Sequence, residues 1–119
     1  MPQQTLDAWA GRVRLLNTYG VTECTVYQAA KVLTPGSCRR QLGQGLPGVE
    51  LYLARGSGDD PLEPVGSGEM GELWIGGRQV GLGYLRRPQL TAERFKGQGS
   101  KRLFRSGDLA SSTGWWRGL

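Results

Sequence analysis

Apolar residues along this chain come in short bursts separated by glycine, proline and small polar residues. The strongest burst, Leu73-Trp74-Ile75, is bounded by Gly71-Glu72 and Gly76, and predicts a strand over residues 71–76. Residues 49–53 alternate Val49-Glu50-Leu51-Tyr52-Leu53 and predict another strand. The polar stretch 55–64 between them predicts a hairpin loop. Upstream, residues 12–17 are apolar-rich and predict a short strand entering a Tyr19-Gly20 turn, while the polar residues 6–12 around an isolated Trp9 predict the end of a helix. Residues 25–33 carry β-branched and aromatic side chains and predict extended chain over at least part of their length. Thr34-Pro35-Gly36-Ser37 predicts a loop, and residues 39–48, with three glycines and a proline, an irregular segment. Residues 88–95 predict a helix with Pro88 in its first turn. After a loop at 97–101, Leu103-Phe104-Arg105 predicts a short strand leading into Ser106-Gly107-Asp108. Trp115-Trp116 then predicts the start of a further strand, so the expectation is a sequence that stops inside a domain.

Composition narrows the function classes. A chain of 119 residues is one domain or part of one. Glycine, at 20 residues, is roughly double average usage, and its scatter between apolar runs predicts many turns joining short strands. The chain has no histidine, which removes Ser-His and Cys-His nucleophile pairs and histidine-ligated metals. Cys24 and Cys38 lack metal-ligand spacing and read as reduced thiols of a cytoplasmic protein. No apolar stretch approaches bilayer length, so no membrane partner is expected. The net charge of +5 includes the pairs Arg39-Arg40, Arg86-Arg87 and Lys101-Arg102. No basic helix or aromatic-rich RNA-binding motif accompanies them, so nucleic acid is not an expected partner.

Two runs carry chemistry. Tyr19-Gly20-Val21-Thr22-Glu23 offers an aromatic face, a glycine turn, a hydroxyl and a carboxylate. These suit a base, close backbone approach, a phosphate oxygen and magnesium. Arg105-Ser106-Gly107-Asp108-Leu109 places a carboxylate after a glycine, where it can accept hydrogen bonds from a ribose. In this order the runs read as two walls of one nucleotide site. Each residue also has a plain structural reading: a core tyrosine, a turn glycine, a helix-capping threonine, a solvated glutamate and a turn-capping aspartate.

At these residues the chain resembles the adenylate-forming enzymes, which include acyl-CoA synthetases and the adenylation domains of nonribosomal peptide synthetases. Asn17-Thr18-Tyr19-Gly20-Val21-Thr22-Glu23 is similar to the family's N-x-Y-G-x-T-E motif. Gly71-Glu72-Leu73-Trp74-Ile75-Gly76-Gly77, with Gly83-Tyr84-Leu85 and Arg87-Pro88, resembles G-E-L-x-I-x-G … G-Y-x-x-x-P. Thr91-Ala92-Glu93-Arg94-Phe95 matches the T-A-E-x-F that follows, and Phe104-Arg105-Ser106-Gly107-Asp108-Leu109 resembles Y-R-T-G-D-L.

The resemblance implies an α/β fragment: residues 1–37 as the end of an α/β subdomain, and 38–119 as a small, mostly antiparallel β-barrel subdomain. It implies an enzyme joining a carboxylate or amino acid to ATP as an adenylate, for transfer to a coenzyme A or carrier-protein phosphopantetheine thiol. Tyr19 would stack on adenine, Gly20 would admit the nucleotide, Thr22 would bond the α-phosphate, Glu23 would hold Mg²⁺, and Asp108 would take the ribose hydroxyls. Thr22 and Glu23 are thus the expected catalytic pair, and Thr18, Val26 and Tyr27 match substrate-pocket positions. Gly71, Glu72 and Gly83 are expected to be architectural. The family's lysine-ending phosphate loop, its substrate-binding aromatic helix and its lysine-bearing lid do not occur in these residues. The competing expectation is an inactive barrel module used for binding.

Overall fold

The computed structural model of the chain describes residues 1–55 and 63–113, and the backbone of residues 116–117. Helix α1 (Gln3–Trp9) precedes β1 (Leu15–Tyr19), which pairs antiparallel with β2 (Ala29–Leu33). The two-residue strand β3 (Gln44–Gly45) extends this first sheet along the other edge of β2. The second sheet holds β4 (Val49–Ala54), β5 (Met70–Gly77), β6 (Phe95–Lys96), β7 (Leu103–Ser111) and β8 (Trp116–Arg117). Its order is β4-β5-β7-β6, with β8 also on β7. Among the described residues it is open at β4 on one side and at β6 and β8 on the other, a half-barrel. Helix α2 (Pro88–Arg94), with Pro88 in its first turn, runs directly into β6.

The central strand explains the sequence's strongest signal. β5 has a hydrogen-bonded neighbour on each edge, β4 and β7, and its residues from Gly71 to Gly76 are all buried. A strand covered on both faces needs a continuous apolar run rather than alternation. On one face Leu51 and Leu53 of β4 sit opposite Ile75 and Leu73. These leucines and Ile75 join Tyr19, Cys24, Ala29, Phe95 and Phe104 in one cluster drawn from both sheets. A smaller cluster of Leu6, Ala10, Leu33 and Leu15 fixes α1 to the first sheet.

The boundaries differ from expectation where local hydrogen bonding wins. Arg12 and Val13 donate their backbone N–H groups to the Trp9 carbonyl, so this segment finishes the helix and β1 starts only at Leu15. Residues 25–33 are extended only in part: Thr25 and Val26 have φ of 62° and 69°, and β2 begins at Ala29. Residues 103–105 open a nine-residue strand that continues through Ser106, Gly107 and Asp108 instead of turning there. Glu72 faces Leu109 and Trp74 faces Arg105, so β7 bulges opposite Leu73. Most of the hairpin loop expected at 55–64, and Trp115, lie outside the described residues.

Candidate functional site

The site lies where the two sheets meet. Tyr19 ends β1 with its ring in the shared cluster and only 8 % of its surface exposed. Its hydroxyl donates to Asp108 Oδ2 at 2.5 Å. Burial first, and this hydrogen bond second, push its phenol well above the ordinary tyrosine range. Asp108 is carried by the β7 bulge, and Ser106 Oγ accepts its backbone N–H at 3.0 Å. Ser106 in turn donates to the Leu73 carbonyl at 2.6 Å. Buried Glu72 closes the support from beneath: Arg105 Nε bonds both its oxygens, and Gly107 N–H donates to Oε1 at 3.1 Å. The two walls read from sequence are therefore in direct contact.

After Tyr19 the chain makes a clamped loop. Thr22–Cys24 form a 3₁₀ turn, and the Gln28 N–H returns to the Tyr19 carbonyl at 2.8 Å. The fully buried Gln28 side chain accepts from Val21 N–H at 2.6 Å and donates to the Cys24 carbonyl at 2.8 Å. This clamp holds the left-handed Thr25 and Val26, a costly conformation for β-branched residues. Gly20 is required by the chain's own packing, since a Cβ there would lie 1.7 Å from the Val26 carbonyl oxygen.

On this loop Thr22 is exposed and Glu23 half-buried. The Tyr84 hydroxyl donates to Glu23 Oε1 at 2.6 Å. Burial and then this bond push the Tyr84 phenol up to about 12, and burial pushes the Cys24 thiol up to about 12. Val26 and Tyr27 are exposed, and Thr18 projects from the face of β1 opposite Tyr19. The structure thus joins Tyr19 to Asp108, places Thr22 and Glu23 on the adjoining turn, and leaves Thr18, Val26 and Tyr27 facing outward.

A magnesium ion is compatible with this donor set in one way. Among the described residues no cluster of three or more His, Cys, Asp or Glu surrounds a metal position. Mg²⁺ commonly takes one or two carboxylates and completes its shell with substrate phosphates and water. The half-buried Glu23 carboxylate is a donor of that kind. Both cysteines are free thiols, and among the described residues no helix is long and apolar enough to cross a membrane.

Gln28 and Tyr84 are the supporting residues that sequence reasoning missed as such. A glutamine between Val26-Tyr27 and Ala29-Ala30 is the available signal for the first. Tyr84 had only its motif position.

With this geometry in place, the comparisons with known proteins define a class. The family model described as AMP-binding enzyme matches residues 1–85, and the chain belongs to this adenylate-forming family. It is 36 % identical over 105 residues to nonribosomal peptide synthetase 7 of Aspergillus fumigatus, covering 88 % of this chain and 4 % of that protein. It is 43 % identical over 114 residues to isonitrile lipopeptide synthase of Mycobacterium tuberculosis, covering 91 % of this chain and 4 % of that one. Among solved structures it matches holo-AB3403, a four-domain nonribosomal peptide synthetase bound to AMP and glycine. That match has a TM-score of 0.69 and 34 % identity, over 87 % of this chain and 8 % of that one. The chain thus spans a small part of the relatives it matches.

Proposed function

We propose that this chain supplies the nucleotide-binding walls of an enzyme that activates a carboxylate or amino acid with ATP and passes it to a thiol. The observation that carries the reading is the Tyr19–Asp108 contact, which brings two distant runs together beside the turn bearing Thr22 and Glu23. Tyr19 would meet adenine through the small part of its ring left exposed beside the buried cluster. Asp108 keeps Oδ1 for the ribose hydroxyls while Oδ2 accepts from Tyr19. The exposed Thr22 hydroxyl would donate to an α-phosphate oxygen. Thr18, Val26 and Tyr27 border the acyl side.

In the reaction, a substrate carboxylate oxygen attacks the α-phosphorus. The bond from that phosphorus to the oxygen bridging to the β-phosphate breaks, and pyrophosphate leaves with the electron pair. Glu23 would hold Mg²⁺, which when bound neutralises phosphate charge as pyrophosphate departs. A phosphopantetheine or coenzyme A thiol then attacks the acyl carbon, loses its proton and releases AMP. A carrier protein bearing that thiol is the proposed partner, and the cytoplasm the proposed location. In domain terms, residues 1–37 belong to the end of an α/β subdomain and 38–119 to the barrel, with Gln44–Gly45 reaching back to the first sheet.

The test is carboxylate-dependent exchange of labelled pyrophosphate into ATP by the full-length protein, across a panel of amino and carboxylic acids. Exchange with at least one acid is expected. The 119-residue polypeptide alone is expected to show none, because the family's lysine-ending phosphate loop and lysine-bearing lid do not occur in these residues. Exchange by no acid in the full-length protein overturns the reading.

A further inference from the structure

The proposed metal carboxylate is gripped by a part of the chain far from its own motif. The segment between β5 and α2 crosses the Thr22–Cys24 turn and touches it, with its C-terminal cap Thr25, at three points. Gly81 N–H donates to the Glu23 carbonyl at 2.8 Å. Thr25 Oγ1 donates to the Gln79 carbonyl at 2.9 Å. The Tyr84 hydroxyl donates to Glu23 Oε1 at 2.6 Å. The segment is itself braced: Arg102 donates to the Gly81 carbonyl at 2.8 Å, and Tyr84 N–H donates to Thr91 Oγ1 at 2.9 Å. The Tyr84 ring is set edge-on against Phe95, with centroids 5.5 Å apart. Gly81 admits this closeness, since a Cβ there would lie 2.8 Å from the Glu23 carbonyl oxygen.

We infer that Tyr84 is a positioning residue for the metal-binding carboxylate of Glu23. A glutamate on a short turn has several rotamers, and a metal pays for selecting one of them. Here the backbone of Glu23 is fixed by Gly81 and one carboxylate oxygen by Tyr84. Tyr84 takes Oε1, so Oε2 would be the oxygen available to a cation, on a side chain whose position is set before the nucleotide arrives. Tyr84 touches neither phosphate nor metal in this arrangement; it acts through Glu23. The inference rests on the proposed metal role of Glu23.

The experiment measures Mn²⁺ affinity by electron paramagnetic resonance on the full-length protein saturated with ATP, together with ATP affinity in chelator. Tyr84→Phe should weaken Mn²⁺ about tenfold, the lower end of what one hydrogen bond to a charged group is worth, and leave metal-free ATP affinity unchanged. Thr25→Val removes a neighbouring contact of the same brace without touching the carboxylate, and should leave Mn²⁺ affinity as in the parent. Glu23→Gln should weaken Mn²⁺ more than Tyr84→Phe does. Tyr84→Phe with unchanged Mn²⁺ affinity, or with metal and nucleotide weakened alike, overturns the positioning role while leaving Glu23 as ligand. Unchanged Mn²⁺ affinity in Glu23→Gln overturns both.

Discussion

The hydroxyl of Tyr19 and the carboxylate of Asp108 meet at 2.5 Å although 89 positions separate them in sequence. The contact joins the end of one sheet to the bulge of the other, so anything that loosens the seam between the sheets also loosens the proposed nucleoside site.

Asp108→Ala should weaken ATP binding by about 1–3 kcal/mol, since ribose hydroxyls lose a charged acceptor. Tyr19→Phe keeps the ring and should cost ATP binding less than about 1 kcal/mol. Isothermal titration of both variants of the full-length protein checks the order. Equal losses would mean that the tyrosine hydroxyl, and not the ribose, is what Asp108 serves.

Glu23→Gln should lower the rate of pyrophosphate exchange more than it lowers ATP affinity. It should also raise the Mg²⁺ concentration needed for half-maximal rate, because an amide oxygen is a poorer donor to a hard cation. Rates measured across a magnesium series decide this. An unchanged magnesium dependence would remove Glu23 from the metal.

Gln28→Ala strips partners from the Val21 N–H and the Cys24 carbonyl at once. Each orphaned group costs about 1–3 kcal/mol where water does not replace the bond. The expected result is a lower unfolding midpoint and faster amide exchange at Val21. Exchange at Leu73, inside β5, should change less, since local opening of the loop leaves the sheet closed.

Alkaline pH should destabilise the fold. Tyr19 and Tyr84 titrate above the ordinary tyrosine value of 10.0, and Cys24 above the ordinary thiol value of 9.0. As pH rises past the ordinary values the unfolded chain loses protons that the folded chain retains, and unfolding is favoured. Stability from these groups is whole below pH 9 and falls progressively above it. Unfolding midpoints taken from about pH 8 to about pH 11 should show the decline, with a shallower slope in Tyr84→Phe. A flat profile would contradict the burial assigned to these groups.

The elements legible in the sequence are those whose own residues decide their state. β5 announces itself because both its faces are covered, and α2 because Pro88 opens it and a helix-forming run follows. The meeting of Tyr19 and Asp108 was legible through motif order, since neither residue has a local sign of being the other's neighbour. What escaped was set by distant partners. β1 starts late because Trp9 captures the N–H groups of Arg12 and Val13. The left-handed Thr25 and Val26 run against β-branched preference and are held by Gln28 and by Gln79, the latter 54 residues away from Thr25. The bulge in β7 depends on Glu72, whose carboxylate binds Arg105 and Gly107 from the neighbouring strand.

That bulge has a further consequence for how fold and chemistry can vary separately. From Glu72 to Trp74 the chain advances by two residues while β7, from Arg105 to Leu109, advances by four. The excess is even, so the alternation of sides resumes in phase, and Phe104 and Ala110 are both buried. An odd excess would have turned one end of β7 inside out. Removing two residues from the bulge would therefore straighten the ladder and keep its apolar side inward, while withdrawing the aspartate from Tyr19. The in-phase excess thus separates two things in β7: the apolar side that the sheet packs on, and the aspartate that meets Tyr19, which the bulge alone carries to its partner.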